Sequence, residues 1–475
     1  MTERVDLVVV GGGITGLAAA WEAAGQGARV VLLDGADRPG GKLRTSTVAG
    51  TPLDESADAF LARVPEAVDL CTELGIETEL VSPATGHAFV WSRDELRPLP
   101  TEQLLGVPTD LDAVAATGIL SDAGLARARA DLERTDTDPA PGQRPDGANG
   151  TDESLGGLIR RRLGDEVLDR LVGPLVGGIW AGNPDHLSIE TAAPQLAALR
   201  DRHPSLITAA ADARAAALGA AGNRPVFLTP RRGMTHLVEA LVAGLGDRVR
   251  LGQPVTGLER QGLHASNRWR IAPAGITAEA VVVATPAFAA APLVAPHAPA
   301  AGQTLAAIDH ASVALVALAV PREGVGHPLD GSGFLVPPPE GRLMTACSWW
   351  SSKWPHLAHD PSLVLLRVSA GRDGDQRALA LDDAELLDAL LLDLRDTLDL
   401  HATPVDVRIN RWRRSFPQPR PGHLQRVAAV EDELARATPG LSVAGAWARG
   451  VGIPACIRAG RRAASAALGM RSSAR

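Results

Sequence analysis

Tyrosine is absent from the 475 residues, phenylalanine occurs six times and tryptophan nine, so no site in this chain can use a phenol hydroxyl. Lysine is nearly absent as well: of 47 basic side chains only Lys42 and Lys353 are lysine. Almost every cationic role therefore falls to arginine, whose planar guanidinium grips carboxylates through two parallel hydrogen bonds. Cysteine is scarce, and Cys71, Cys347 and Cys456 are far apart and without CxxC spacing. That excludes a disulfide framework and fits a reducing compartment, the cytoplasm. No long apolar run is present, because the stretch from Val281 to Ala301 is interrupted by Pro286, Pro292, Pro296 and Pro299 and cannot continue as a membrane helix. A spanning segment is thus not expected, which leaves peripheral membrane contact open. Excess positive charge is missing too: a net charge of -8 and a pI near 5.9 argue against nucleic-acid binding. Met1 to Asp6 carry none of the marks of a secretory signal.

What is present is ordinary globular material, 45% hydrophobic and 21% charged, in a chain long enough for two or three domains around a large cofactor. Val5 to Val10 reads as a buried strand, Ile14 to Ala24 as an alanine-rich helix and Arg29 to Leu33 as a second strand, the order of a βαβ unit. Pro65 to Leu74 reads as a helix ended by Gly75, and Leu111 to Ala130 is helical in pattern. Thr135 to Gly150 collects Asp, Pro, Gly and Asn without periodicity, which predicts a loop. Leu155 to Leu175 returns to helical spacing. Val281 to Ala284 and Ala311 to Val320 are strand candidates, and Asp382 and Asp383 suit the start of a helix through Leu398. The chain closes with a strand, Leu441 to Ala444, a glycine turn and a helix from Pro454 to Leu468.

The sharpest local signal is Gly11-Gly12-Gly13-Ile14-Thr15-Gly16 between the first strand and the first helix. Gly11 permits a tight turn, Gly13 lets a pyrophosphate approach the backbone, and Gly16 lets helix and strand pack closely. Asp34 follows at the end of the second strand, eighteen residues after Gly16 and near the spacing of about 20 expected for an acid on a ribose hydroxyl. A dinucleotide with a free ribose fits, and NADP does not. Beyond it, Asp37-Arg38-Pro39-Gly40-Gly41-Lys42-Leu43-Arg44 places a glycine pair and cations where they could meet the pyrophosphate and a flavin. Near the end, Gly445 and Gly450-Val451-Gly452-Ile453-Pro454 lead into a helix whose N-terminus would stabilise negative charge on a flavin pyrimidine edge.

The Asp37–Arg44 segment resembles the second fingerprint of the flavin amine oxidase and porphyrinogen oxidase superfamily, and Asp54-Glu55-Ser56-Ala57-Asp58-Ala59-Phe60 resembles the loop that this superfamily lays along the ribityl chain. The middle of the chain resembles the bacterial protoporphyrinogen and coproporphyrinogen III oxidases: Asp152-Glu153-Ser154, Leu163 to Val167, Pro174 to Pro184, Gly333 to Pro337, Lys353-Trp354-Pro355-His356, Arg411-Trp412, Phe416-Pro417-Gln418 and Gly422-His423 carry that likeness. Where the family commonly shows tyrosine the chain has Trp180, His310 and Pro419, and Lys42 replaces the usual flavin-loop arginine.

The resemblance implies an α/β fold: a Rossmann-type FAD-binding domain (1–90, 225–302 and 412–475), a helical subdomain facing substrate or membrane (91–224) and a mixed-sheet substrate domain (303–411). It implies FAD held by Gly11, Gly12, Gly13, Ile14, Thr15, Gly16, Asp34, Gly40, Gly41, Lys42, Glu55, Ser56, Ala57, Asp58, Val255, Trp412, Val451, Gly452 and Ile453. It implies oxidation of coproporphyrinogen III, or of protoporphyrinogen IX, in haem biosynthesis, with O2 as acceptor and peroxide as product. Hydride leaves for the flavin and pyrrole protons are lost, so positioning and desolvation dominate and no dedicated base stands out. Arg44, Arg97, Gly178, Trp180 and Arg449 are the substrate-contact candidates, and Arg93, Arg413 and Arg458 also flank the motifs.

Other readings stay beside this one. An amine oxidase or polyene desaturase would share the terminal fingerprints and lack the central blocks, and a binding protein on the same fold would have lost the glycines. His356 and His359 have HxxH spacing without a ligand cluster, so no metal site is expected. Arg160 to Arg162 could touch anionic lipid but read better as a solvated run, and Cys456 reads as a small packing residue.

Overall fold

The computed structural model describes residues 3–135, 152–221, 225–261 and 268–469. Strand β1 (Arg4–Val10), helix α1 (Ile14–Gly25) and strand β2 (Val30–Leu33) form where the apolar runs and the glycine turn place them. β1 pairs in parallel with β2 and with Ile276–Val283, Val8 lying opposite Val31 and Val281. The sheet runs Val249–Arg250, β2, β1, Ile276–Val283, Arg268–Ala272, Gly257–Gln261, and Leu441–Val443 adds a further parallel strand to Ile276–Val283. Its central strands are apolar on both faces because both are covered. One face packs on α1 and the closing helix Ile453–Ala467, the other on helices that include Ala287–Val294 and His423–Ala437.

The helical unit follows a different logic. Leu111 to Ala130 is two helices, Leu111–Thr117 and Asp122–Arg129, because Gly118 turns left-handed (φ 65°) and ends the first. The stretch from Leu155 is interrupted at Gly164 (φ 93°) and passes through a π-helical turn, Leu168–Val172, before α2 (Gly173–Trp180). The expected solvated run at Arg160 to Arg162 is not what forms. The Arg162 side chain is fully buried, 2.9 Å from the equally buried Asp131, whose other oxygen accepts from Ser205 Oγ and the Ile207 N–H. Arg161 lies 3.0 Å from buried Glu153, and Arg160 reaches Asp165, Asp169 and Asp185. A sequence-local view of three adjacent arginines misses acids that come from distant segments. The loop expected over Thr135–Gly150 lies, beyond Thr135, outside the described residues.

A second seven-stranded sheet contains β3 (His310–Pro321), β4 (Leu363–Ala370) and β5 (Asp406–Pro417), in the order β5, β3, β4, Met344–Trp349, Gly333–Leu335, Phe89–Ser92, Glu95–Pro98. Helix Asp383–Leu398, opened by a capping box between Asp382 and Glu385, turns Leu386, Leu390, Leu394 and Leu398 into this sheet's core. Two expected boundaries need correction here. The one at 90/91 falls inside Phe89–Ser92, which pairing with Gly333–Leu335 draws into the second sheet, and the one at 411/412 falls inside β5, which runs unbroken to Pro417. Among the described residues no helix is long and apolar enough to cross a membrane.

Candidate functional site

The glycine turn is shaped by its own backbone. Gly11 has φ +108°, and a Cβ there would lie 3.0 Å from the Ala284 carbonyl oxygen. A Cβ on Gly16 would overlap the Gly11 carbonyl oxygen, so helix and turn touch main chain to main chain. Gly13 differs, because nothing stands within 4 Å of where its Cβ would be. No side chain caps α1 and no acid occupies its first turn. The N–H groups at Ile14, Thr15 and Gly16 therefore begin a helix whose positive end lies beside the open space at Gly13, a cradle of the kind that could hold a pyrophosphate.

Asp34 accepts hydrogen bonds from the N–H groups of Gly12 and Ala36, which fixes the acid at the rim of that cradle. The glycine pair folds back onto the first turn: Gly40 N–H donates to the Gly12 carbonyl at 2.8 Å, and Gly40 (φ +94°) and Gly41 (φ +58°) are both left-handed. Val255 sits in a loop laid along Asp34 to Ala36, with Gln253 N–H on the Asp34 carbonyl and Gly252 N–H on that of Ala36. The closing helix packs on α1 so closely that a Cβ on Gly460 would overlap the Thr15 carbonyl. Its start, after Val451 and Gly452, likewise has no side-chain cap and no first-turn acid, and Pro454 occupies its first turn.

The Asp54 to Asp58 loop is held by residues of the second sheet. Trp412 Nε1 on β5 donates to the Glu55 carbonyl at 2.8 Å. Arg367, alone among apolar neighbours on β4, donates to the carbonyls of Asp54 (3.1 Å) and Ser56 (2.6 Å) and stands 3.6 Å from Asp58 Oδ1. Lys353 Nζ meets Asp58 Oδ2 at 2.6 Å, and Trp354 Nε1 faces the same oxygen. Burial alone would raise the Asp58 pKa, but Lys353 and Arg367 outweigh it and hold the carboxyl well below its usual range. Asp54, buried with Thr45 Oγ1 and the Met234 N–H as its donors among the described residues, is pushed up to about 7 by that burial. Ser56 Oγ donates to the Lys42 carbonyl, and Lys42 Nζ to the Ser415 carbonyl, with burial lowering the lysine pKa. His310, where burial and then Lys42 and Arg414 act against a second positive charge, is drawn down to about 4 and is neutral near pH 7. Its Nδ1 faces the Ile308 carbonyl at 2.9 Å, so that nitrogen carries the proton. Burial also raises the Cys456 thiol, which keeps it protonated.

Glu55 bears on what the site holds. Its carboxylate is buried; Arg44 Nε lies 3.0 Å from one oxygen, yet among the described residues neither oxygen has a donor in hydrogen-bonding geometry. A buried acceptor left in that state belongs beside a hydroxyl- or N–H-bearing partner. With the open face at Gly13, it makes the residues present fit a dinucleotide that carries a polyhydroxyl chain.

A family model described as flavin containing amine oxidoreductase matches residues 14–468. The chain belongs to this family. It is an FAD-dependent oxidoreductase, and the family model covers the second sheet and all of the first except β1. Curated relatives named coproporphyrinogen III oxidase include those of Bacillus subtilis (strain 168), 34% identical over 98% of both chains, and Mycobacterium bovis, 36% identical over the same shares. A solved structure from Exiguobacterium sp. 255-15, described as a candidate protoporphyrinogen oxidase, aligns with TM-score 0.84 and 29% identity over 98% of this chain and 99% of that one. Cyclohexylamine oxidase from Brevibacterium oxydans IH-35A, at 19% identity and TM-score 0.69 over 98% and 99%, shares the fold.

The substrate candidates of this flavoprotein separate in space. Trp180 is buried at the end of α2 with its Nε1 toward the Ala192 carbonyl, and Gly178 lies on the same helix, where a Cβ would stand 3.8 Å from Leu335 Cδ2. Next to them a small apolar patch is built by Ala181, Ala311, Val313 and Leu315, with Trp412 and Phe416 partly buried against it. Arg44 stands by Glu55 of the 54–58 loop. Arg97 and Arg449 are not brought there. Arg97 spends its guanidinium on the Ser92 and Thr117 carbonyls and on Glu95. Arg449 pairs with Glu431 at 2.6 Å and lines a groove of about 810 Å³ between His423–Ala437, Leu441–Val443 and the closing helix. That groove shares no residue with the glycine turn, and its size alone does not make it the site. Arg93 and Arg458 are held by Glu166 and Glu66, while Arg413 is exposed on β5. Arg367 escaped the sequence reading, although a lone arginine in an apolar strand such as Leu363–Ala370 is the signal that could have found it.

Proposed function

We propose that the chain oxidises coproporphyrinogen III to coproporphyrin III in haem biosynthesis, and accepts protoporphyrinogen IX as a second substrate. The observation that carries this reading is full-length similarity, at 34–36%, to relatives of that name. The apolar patch bordered by Trp412, which is itself bonded to the flavin loop, supports it. Amine-oxidase neighbours at 19% identity share the architecture and add no competing substrate.

FAD, when bound, supplies the two-electron acceptor. The chain's own groups do the rest. Gly13 and the uncapped α1 terminus accommodate the pyrophosphate, Asp34 takes the ribose, and Glu55 offers an acceptor to the polyhydroxyl chain. Arg367, Lys353 and Trp412 lock the loop that carries Glu55 to the sheet on which the macrocycle rests. Neutral His310 and the protonated Cys456 thiol add no charge beside the site, so an electron-rich macrocycle meets an apolar surface. Protons released from the pyrroles leave to solvent, and O2 takes up each electron pair as peroxide. The same proposal places the protein in the cytoplasm, with Leu61, Val226 and Phe227, about two-fifths exposed and adjacent through Phe227–Leu61 pairing, as its contact with the inner face of the membrane. Partition between soluble and membrane fractions tests that placement.

The decisive experiment mixes the oxidised holoprotein anaerobically with coproporphyrinogen III, and separately with protoporphyrinogen IX, and follows the flavin band. Bleaching by coproporphyrinogen is expected. A yellow protein indifferent to both rings would reject the proposal.

A further inference from the structure

Gly371 to Asp375 forms a tight loop after β4, held at both ends. Gly371 (φ +91°) leaves no room for a side chain, since a Cβ there would stand 3.1 Å from the Ser312 carbonyl oxygen and 3.5 Å from Val313 Cα. Asp373 N–H donates to the Ala181 carbonyl at 2.7 Å. The loop therefore joins the start of β3 to the end of α2, the two elements whose Ala181, Ala311 and Val313 make the apolar patch. It carries Arg372 between them.

Three arginines and three aspartates share this corner, but Arg420 takes both Asp373 and Asp309, so the pairing leaves one guanidinium over. Asp373 takes Arg420 at 3.0 Å, and Asp375 takes Arg377 at 2.8 Å. The Arg372 guanidinium has no hydrogen-bond or ion-pair partner among the described residues. It is nonetheless half-buried, and burial draws its pKa down, with Asp375 opposing and Arg377 adding to the effect. A guanidinium taken partly out of water without a partner is costly unless an anion arrives to meet it. Neither Arg97 nor Arg449 can supply that contact, because both are engaged elsewhere.

We propose that Arg372 is the anchor for a carboxylate of the bound macrocycle: its planar fork accepts one propionate side chain at the rim of the Ala181–Val313 patch and so sets the orientation of the ring against the Trp412 face. This rests on the porphyrinogen reading given above and adds to it a residue, a ligand group and a register. Arg372 acts on binding and orientation; it takes no proton and no electron.

The test titrates FAD-loaded protein with coproporphyrin III and, in parallel, with its tetramethyl ester, following the Soret band, and measures anaerobic flavin reduction by coproporphyrinogen III. Arg372→Met is expected to weaken the free acid about ten- to a hundredfold, the loss of one bidentate charge-assisted contact. It should leave the ester unchanged and the saturating reduction rate within about twofold. Arg372→Lys should recover part of the loss, since it restores charge without the fork. Retention of the flavin band reports folding; where the methionine variant loses it, Arg372→Gln is read in the same way. A variant that binds the free acid as tightly as the parent, or that loses acid and ester equally, overturns the assignment of Arg372 and leaves the porphyrinogen reading standing. A parent protein that binds neither acid nor ester overturns both.

Discussion

The cofactor unit and the helical unit of this flavoprotein are stabilised by opposite means. Around the glycine turn the backbone does the positioning: Gly16 and Gly460 bring main chains together, Gly11 and Gly40 adopt left-handed angles, and side-chain charge is confined to Asp34 and the cations beyond it. In the helical unit the side chains do it, through Arg162 with Asp131 and through Arg161 and Arg200 on Glu153, with Glu153 and Asp131 wholly buried. The difference teaches what each region tolerates. A site made of backbone is destroyed by adding atoms, whereas a core made of paired charges is destroyed by removing one.

The comparison is broken most directly at the turn. Gly16→Ala inserts a methyl into the Gly11 carbonyl and is expected to abolish folding of the unit, so that neither flavin absorbance nor a cooperative melt survives. Gly13→Asp points into open space and is expected to fold normally but purify colourless, its charge standing where the pyrophosphate belongs. If both variants bind flavin, the backbone account of this region fails. In the helical unit Asp131→Ala strands the buried Arg162 charge and should cost about 3–5 kcal/mol in urea unfolding; a loss under about 1 kcal/mol would mean that the pair is solvated in practice.

The 54–58 loop, which the proposed function lays along the flavin, sits between the two regimes, being backbone fastened by foreign side chains. Arg367→Met should raise the FAD dissociation constant about ten- to a hundredfold, from the loss of charge-assisted bonds to two carbonyls, and Arg367→Lys should recover part of it. Unchanged affinity in the methionine variant would leave the loop to Trp412 and Lys353 alone. The smallest effect expected is in pH dependence. Asp54 has its folded pKa raised by burial from 3.8 to about 7, so its contribution to stability is complete below about pH 4 and is lost as pH rises toward 7. Asp54→Asn should flatten that decline in melting temperature between pH 5 and 8 (about that window); an unaltered slope would assign it to other groups.

What the sequence made legible follows the same division. β1, α1 and β2 were readable because every signal is local: two apolar strands, a glycine turn and an acid at a fixed distance. Their bounds shifted by a residue or so. The loop 54–58 could be named by resemblance, but its fasteners could not be assigned to it, since Arg367 and Lys353 lie about three hundred residues away and a lone arginine in an apolar strand does not say which segment it meets. Arg160 to Arg162 misled for that reason, because the fate of Arg162 is decided by an acid 31 positions upstream. The second sheet was legible at β3, an unbroken apolar strand, and obscure at β5, where arginines interrupt the alternation and the pairing partner lies about a hundred residues earlier.

The scarcity of lysine has a practical consequence. Lys42 and Lys353 are the chain's side-chain amines, and both are tied to the flavin loop region, one through the Ser415 carbonyl and the other through Asp58. The outer surface is armoured with guanidinium instead. Amine-directed chemistry, whether an acylating enzyme, a cross-linker or a fluorescent ester, finds little on the exterior to modify, and side-chain labelling would register the loosening of the cofactor loop before anything else.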